Sequence, residues 1–64
     1  METFVDRMRE ERNQLGERIM KGIDFIKSEK FKTLSATERY LIEGQISSMQ
    51  AYFNYLQLRI DYYK

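Results

Sequence analysis

The chain has no cysteine, no histidine and no proline, and only three of its 64 residues are glycine. Without cysteine there are no disulfides and no thiolate metal sites; without histidine the commonest general base and the commonest metal ligand are missing. No pair of acids stands at a spacing that suggests acid–base work in a protected setting, so the composition points away from an enzyme and implies no cofactor. Charge of one sign is also lacking: 11 basic residues face 10 acidic ones, a net charge of +1. Such a balance gives no global field for DNA or RNA, so nucleic acid is not an expected partner and any anion site has to be local. No apolar run approaches the roughly 20 residues needed to span a bilayer, and the opening "METFVDRMREERNQ" has no signal-peptide core. A soluble, cytoplasmic protein without a membrane partner is expected.

What is present is helical periodicity. In the first half Val5, Met8, Leu15, Ile19, Gly22 or Ile23, and Ile26 recur at spacings of three and four, with Arg12 intruding in the same seam. In the second half Ile42, Ile46, Met49, Phe53, Leu56, Ile60 and Tyr63 form an uninterrupted heptad seam. The motif "SATE" precedes it, with Ser35 as N-cap and Glu38 three residues on, the pattern of a capping box in which each side chain satisfies a backbone N–H. The predicted fold is all-α: an antiparallel two-helix hairpin, a single domain over residues 1–64. Helix 1 is placed at about 2–29, the turn at 30–34 and helix 2 at about 35–63.

A chain this short buries too small a fraction of its surface to be comfortably stable alone. Residues 44–58, "GQISSMQAYFNYLQL", carry no charge at all, although a lone hairpin would expose a charged face over that length. Beside the seam, Leu41, Gln45, Ser48, Tyr52, Tyr55, Arg59 and Tyr62 form a second stripe of aromatic and hydrogen-bonding groups with an interface-like character. The small residues Gly44, Ser47, Ser48 and Ala51 would let another helix approach. Assembly as a symmetric homo-oligomer is therefore expected.

Several residues invite a chemical reading, each beside a plainer one. Lys30 and Lys32, with Lys27, surround the turn next to the free N–H groups that open helix 2, a composition that could hold a phosphate; solvated lysines and a Ser35 cap are the plainer account. Phe31 between the two lysines could stack a base, or plug the open end of the hairpin beside Leu34, and the residues alone favour the plug. Arg12 and Arg59 lie in or beside apolar stripes, and Arg7 sits near the N-terminus. An arginine fork there either snorkels, pairs with a carboxylate across an interface, or grips a phosphate.

The run "ERYLIEGQISSMQAYFNYLQLRI", preceded by "FIKSEKFKTL" and "DRMREERNQLGERI", resembles the helical hairpin domain of small phage proteins that include the anti-CBASS and anti-Thoeris signalling-nucleotide sponges. Phe31, Gln45, Tyr52 and Arg59 are the distinguishing positions, since most of the others are apolar seam residues. The resemblance implies a non-enzymatic immune-evasion protein in the host cytoplasm that assembles, commonly as a hexamer. Its members hold cyclic oligonucleotides or cyclic ADP-ribose-type messengers between subunits and starve host effectors of activator. Carried over by position, it implies Arg7 and Arg59 for phosphates, Lys30 and Lys32 with the start of helix 2 for a second phosphate, Phe31 and Tyr52 for stacking or walling a base, and Gln45 for a base edge. The alternative of another class is a small helical adaptor whose tyrosine stripe docks on a protein partner with no nucleotide ligand.

Overall fold

Three capped helices make up residues 2–63, which are the residues described by the computed structural model: α1 (Phe4–Ile26), the single turn α2 (Glu29–Lys32) and α3 (Ala36–Tyr62). α1 and α3 lie antiparallel against each other in an elongated molecule of 47 × 17 × 13 Å, and no strand occurs among the described residues.

The first helix stops earlier than its periodicity predicts, and residues 29–32 of the expected helix end and turn are helical in their own right. Ser28 causes both effects. Its hydroxyl donates to the Phe25 carbonyl at 2.6 Å, closing α1, and accepts from the Phe31 N–H at 3.3 Å, opening α2. One side chain thus ends one helix and caps the next. The start of α1 carries a capping box that the periodicity did not reveal, although "TFVD" spells it: the Thr3 N–H donates to the Asp6 carboxylate and the Asp6 N–H to the Thr3 hydroxyl, each at 3.1 Å. The hydrogen bond from the Thr3 backbone holds the Asp6 carboxyl below its ordinary pKa. Its contribution to stability is therefore present above the usual carboxylate range and is lost as pH falls through the lowered value. At α3 the predicted capping box is half made. Ser35 accepts from the Glu38 N–H at 3.1 Å, but the Glu38 carboxylate reaches the Ser35 hydroxyl, at 3.4 Å, and not its backbone N–H.

The two predicted seams meet. Met8, Leu15 and Ile19 of α1 are buried against Ile46, Leu56 and Ile60 of α3, and Val5 packs on the Met8–Leu56–Ile60 cluster. Tyr63, assigned to the seam by its spacing, is instead about half exposed and caps the open end, its ring meeting Phe4 edge-on at 4.8 Å. At the closed end Phe31 is buried with 6% exposure and lies edge-on to Phe25 at 5.9 Å, which is the plug arrangement. Arg12, the intruder in the α1 seam, is half-buried and donates to the Gln57 side chain across the hairpin at 2.8 Å, while Gln57 in turn donates to Asp61 at 3.1 Å.

Close approach of the helices rests on glycine at two points. A Cβ at Gly16 would lie 3.2 Å from the Phe53 ring, and one at Gly22 would lie 2.8 Å from Ile46 Cδ1. At Gly44 on α3 nothing lies within 4 Å. Alanine is favoured over glycine in a helix interior by about 1 kcal/mol. Gly44→Ala is therefore expected to raise the melting temperature of the hairpin, followed by circular dichroism. Gly22→Ala gains the same propensity but displaces the buried Ile46, so it is expected to melt below Gly44→Ala.

Candidate functional site

Burial of one seam per helix leaves α3 with a long exposed surface. Leu41, Tyr52, Tyr55 and Tyr62 of the predicted second stripe are all exposed, and so are Gln45, Ser48 and Arg59. Tyr40 and Leu58 extend the same open surface around the back of the helix. The Ser48 hydroxyl is already occupied, donating to the Gly44 carbonyl at 2.9 Å. Gln45 keeps its amide free of hydrogen bonds among the described residues.

The stripe meets α1 at Tyr52, whose hydroxyl donates to the Glu11 carboxylate. This bond raises the Tyr52 pKa above the ordinary 10.0, with partial burial and the Glu11 charge adding to it and Arg59 opposing it. Tyr52 therefore remains a neutral donor across the physiological range, and the stability linked to its proton is lost only as pH rises through the raised value. Arg59 stands two helical turns along the same row of α3, and its positive charge opposes the rise at the Tyr52 hydroxyl. Arg7 lies one turn before Glu11 on the same side of α1. Arg7, Glu11, Tyr52 and Arg59 thus share one edge of the hairpin near its open end. Glu11 is the member that sequence reasoning missed: spacing within α1 gives no signal for it, because its partner is 41 residues away.

Neither Arg7 nor Arg59 has a carboxylate within ion-pair distance among the described residues, where the ion pairs are Asp6–Arg9 at 3.6 Å and Glu29–Lys32 at 3.3 Å. Arg59 stands in the last turn of α3, where a cation also interacts favourably with the helix dipole. Lys30 is exposed and unpaired, while Lys32 is held by Glu29.

The seven candidate residues do not come together in one chain. Lys30, Phe31 and Lys32 sit at the closed end; Arg7 and Arg59 sit near the other. Helix geometry separates the Ser35 cap from Arg59 by about 36 Å at ~1.5 Å per residue. Gln45 and Tyr52 lie between the two groups on the same row. The burial of Phe31 also removes its ring faces from use as a stacking platform within the chain. The start of α3, proposed as part of the phosphate site, is occupied by Ser35 and has the Glu38 carboxylate beside it.

The opposite edge differs in character. There Arg12, Asn13, Gly16, Met20, Gln50 and Phe53 line a shallow, mainly apolar groove that follows from the missing side chain at Gly16. Arg12 is committed to Gln57 and to Asn13, at 2.8 and 3.0 Å. Among the described residues no group of three or more acidic side chains could hold a metal ion, and no helix is long and apolar enough to cross a membrane.

Fold and surface together define a small all-helical hairpin with an uncovered polar and aromatic edge and unpaired cations at both ends. The chain belongs to the Sequestin family, whose family model matches residues 2–62. It is also 38% identical, over 64 residues and the full length of both chains, to an uncharacterized 7.5 kDa protein of the denB-rIIB intergenic region of Enterobacteria phage T4. No solved structure matches. Family and phage relative together bear out the resemblance to the phage signalling-nucleotide sponge domain.

Proposed function

We propose that this chain is a phage immune-evasion protein that binds and sequesters a cyclic oligonucleotide or a cyclic ADP-ribose-type messenger, without catalysis, and so blocks CBASS or Thoeris signalling. The observation that carries the reading is the open stripe of α3, in which Gln45, Tyr52 and Arg59 stand uncovered with no acidic partner for the arginine, in a chain of the Sequestin family. A ligand with two or more phosphates needs cations at more than one point, and a single chain spreads them over most of its 47 Å length. A neighbouring copy laid antiparallel brings its Arg7 and Arg59 alongside the Lys30 and Lys32 of the first. The binding unit is then a homo-oligomer, with a hexamer favoured, and each pocket lies between subunits.

In that arrangement the arginines and Lys30 with Lys32 neutralise phosphates, Tyr52 walls a base and Gln45 hydrogen-bonds a base edge. Phe31 acts from beneath, as the plug that sets α2 and its lysines. The test is calorimetric titration of the purified protein with a panel of cyclic dinucleotides, cyclic trinucleotides and cyclic ADP-ribose isomers. Saturable heat is expected with at least one, and intact ligand on denaturing the complex. No binding across the panel at micromolar concentration would overturn the proposal. A monomer by light scattering, with Tyr40, Leu41 and Leu58 exposed, would favour the adaptor reading instead.

A further inference from the structure

The tyrosines of the α3 stripe are not alike. Tyr55 is 67% exposed and Tyr62 80%, and neither hydroxyl has a hydrogen-bond partner among the described residues. Tyr52, at 47%, alone crosses the hairpin, donating its hydroxyl to Glu11 of α1. A tyrosine tethered at its far end loses the rotamer freedom that an exposed ring otherwise keeps, and one face of the ring is presented to the outside. Glu11 has no basic partner within ion-pair distance among the described residues, so its contact is with this tyrosine and not with a neighbouring arginine.

We infer that Glu11 is a positioning residue: it fixes the Tyr52 ring against α1, on the same row of α3 as Arg59, as a preformed platform for a ring-bearing anion. The ligand part of this inference rests on the sequestering reading above; the tether does not. Two opposed effects follow from the chemistry of a carboxylate in that place. Its acceptor oxygen orients Tyr52, which favours binding, and its negative charge lies on the same edge of the hairpin as the arginines that would receive a phosphate, which opposes it. Glutamine keeps the acceptor and removes the charge, whereas alanine removes both. Both substitutions relieve the charge and only alanine loses the acceptor, so Glu11→Gln is expected to bind a phosphate-bearing ligand more tightly than Glu11→Ala. A residue that served only the packing of the hairpin would not separate them.

The test has an arm without ligand and an arm with it. In the first, tyrosine ionisation is followed by ultraviolet absorbance in the wild type, Glu11→Gln and Glu11→Ala, with helicity checked by circular dichroism at each pH. A Tyr52 step raised above the ordinary tyrosine value is expected in the wild type and is expected to fall in Glu11→Ala. Glu11 and Arg59 are the charged groups that act on this hydroxyl, so Arg59→Gln serves as the control and is expected to move the same step further upward. Identical titrations in the wild type and Glu11→Ala would overturn the inference. In the second arm a cyclic dinucleotide found to bind in the panel is titrated calorimetrically. Glu11→Ala is expected to bind roughly tenfold more weakly than Glu11→Gln, the scale of one lost orienting hydrogen bond, and Glu11→Gln at least as tightly as the wild type. Equal affinities for all three proteins would also overturn it. Failure of every panel compound to bind the wild type would remove the sequestering proposal and leave the tether to be decided by the first arm alone.

Discussion

Replacing Leu56 by alanine is expected to unfold most of the molecule at ambient temperature. Leu56 and Ile60 are the two most deeply buried side chains, each with 1% exposure, and together with Met8 they form the central cluster between α1 and α3. A leucine-to-alanine change in such a place costs about 2–5 kcal/mol, through lost transfer free energy and the cavity left behind. A hydrophobic core in a chain of this size rarely supplies more than about 3–5 kcal/mol. A thin hairpin has no second layer to collapse into the gap, which puts the loss toward the upper part of that range. Helical ellipticity with thermal melting measures it directly. Leu58→Ala is the matched control. That leucine is two residues away on the outer surface, with 55% exposure, and its removal is expected to change the stability of the hairpin itself by less than about 0.5 kcal/mol. Dissociation of an assembly by Leu58→Ala, with helicity retained, would mark the outer surface of α3 as the contact between copies.

The second large effect is on binding. Arg59→Ala is expected to abolish retention of a nucleotide while leaving both helicity and assembly intact. Nothing in the described chain depends on an ion pair of this guanidinium, and its favourable interaction with the end of α3 contributes only a few tenths to about 1 kcal/mol. A charge-assisted hydrogen bond to phosphate contributes about 1.5–3 kcal/mol, so the loss of a bidentate grip lowers affinity by a hundredfold or more. Native mass spectrometry reads stoichiometry and bound mass in one spectrum, from protein purified out of cells with and without a nucleotide-signalling system. If Arg59→Ala falls apart into monomers instead, the arginine is a subunit contact and its role as a phosphate ligand is withdrawn. Arg7→Ala separates the two arginines: a smaller loss is expected there, because Arg7 stands on α1 outside the α3 stripe that carries Gln45 and Tyr52.

The contrast between the two edges bears on how such a chain works. On one, Arg12, Gln57 and Asp61 are linked side chain to side chain and Arg12 also binds Asn13. On the other, a single tether from Tyr52 to Glu11 leaves Gln45, Arg59 and Arg7 open. A protein that acts by holding a molecule, with no histidine or cysteine to act on it, needs its unsatisfied groups collected on a surface that a second copy or a ligand can cover. The open edge has that property.

The order of side chains along the chain was sufficient for everything that depends on local geometry. The α3 seam from Ile42 to Ile60, the start of α3 at Ser35 and the second stripe from Leu41 to Tyr62 all follow from 3.6-residue periodicity and capping chemistry, which act over a few residues and are independent of what lies opposite. The local signals at Thr3 and Ser28 were equally present, but they were masked by an apolar period that runs on through both. Only the tertiary structure decided which residues face each other across the hairpin. That choice joins Arg12 to Gln57 and Tyr52 to Glu11. These outcomes depend on the relative register of two helices. Register is fixed by the summed packing of Gly16 on Phe53, Gly22 on Ile46 and the Met8–Leu56–Ile60 cluster, and no single stretch of sequence contains it.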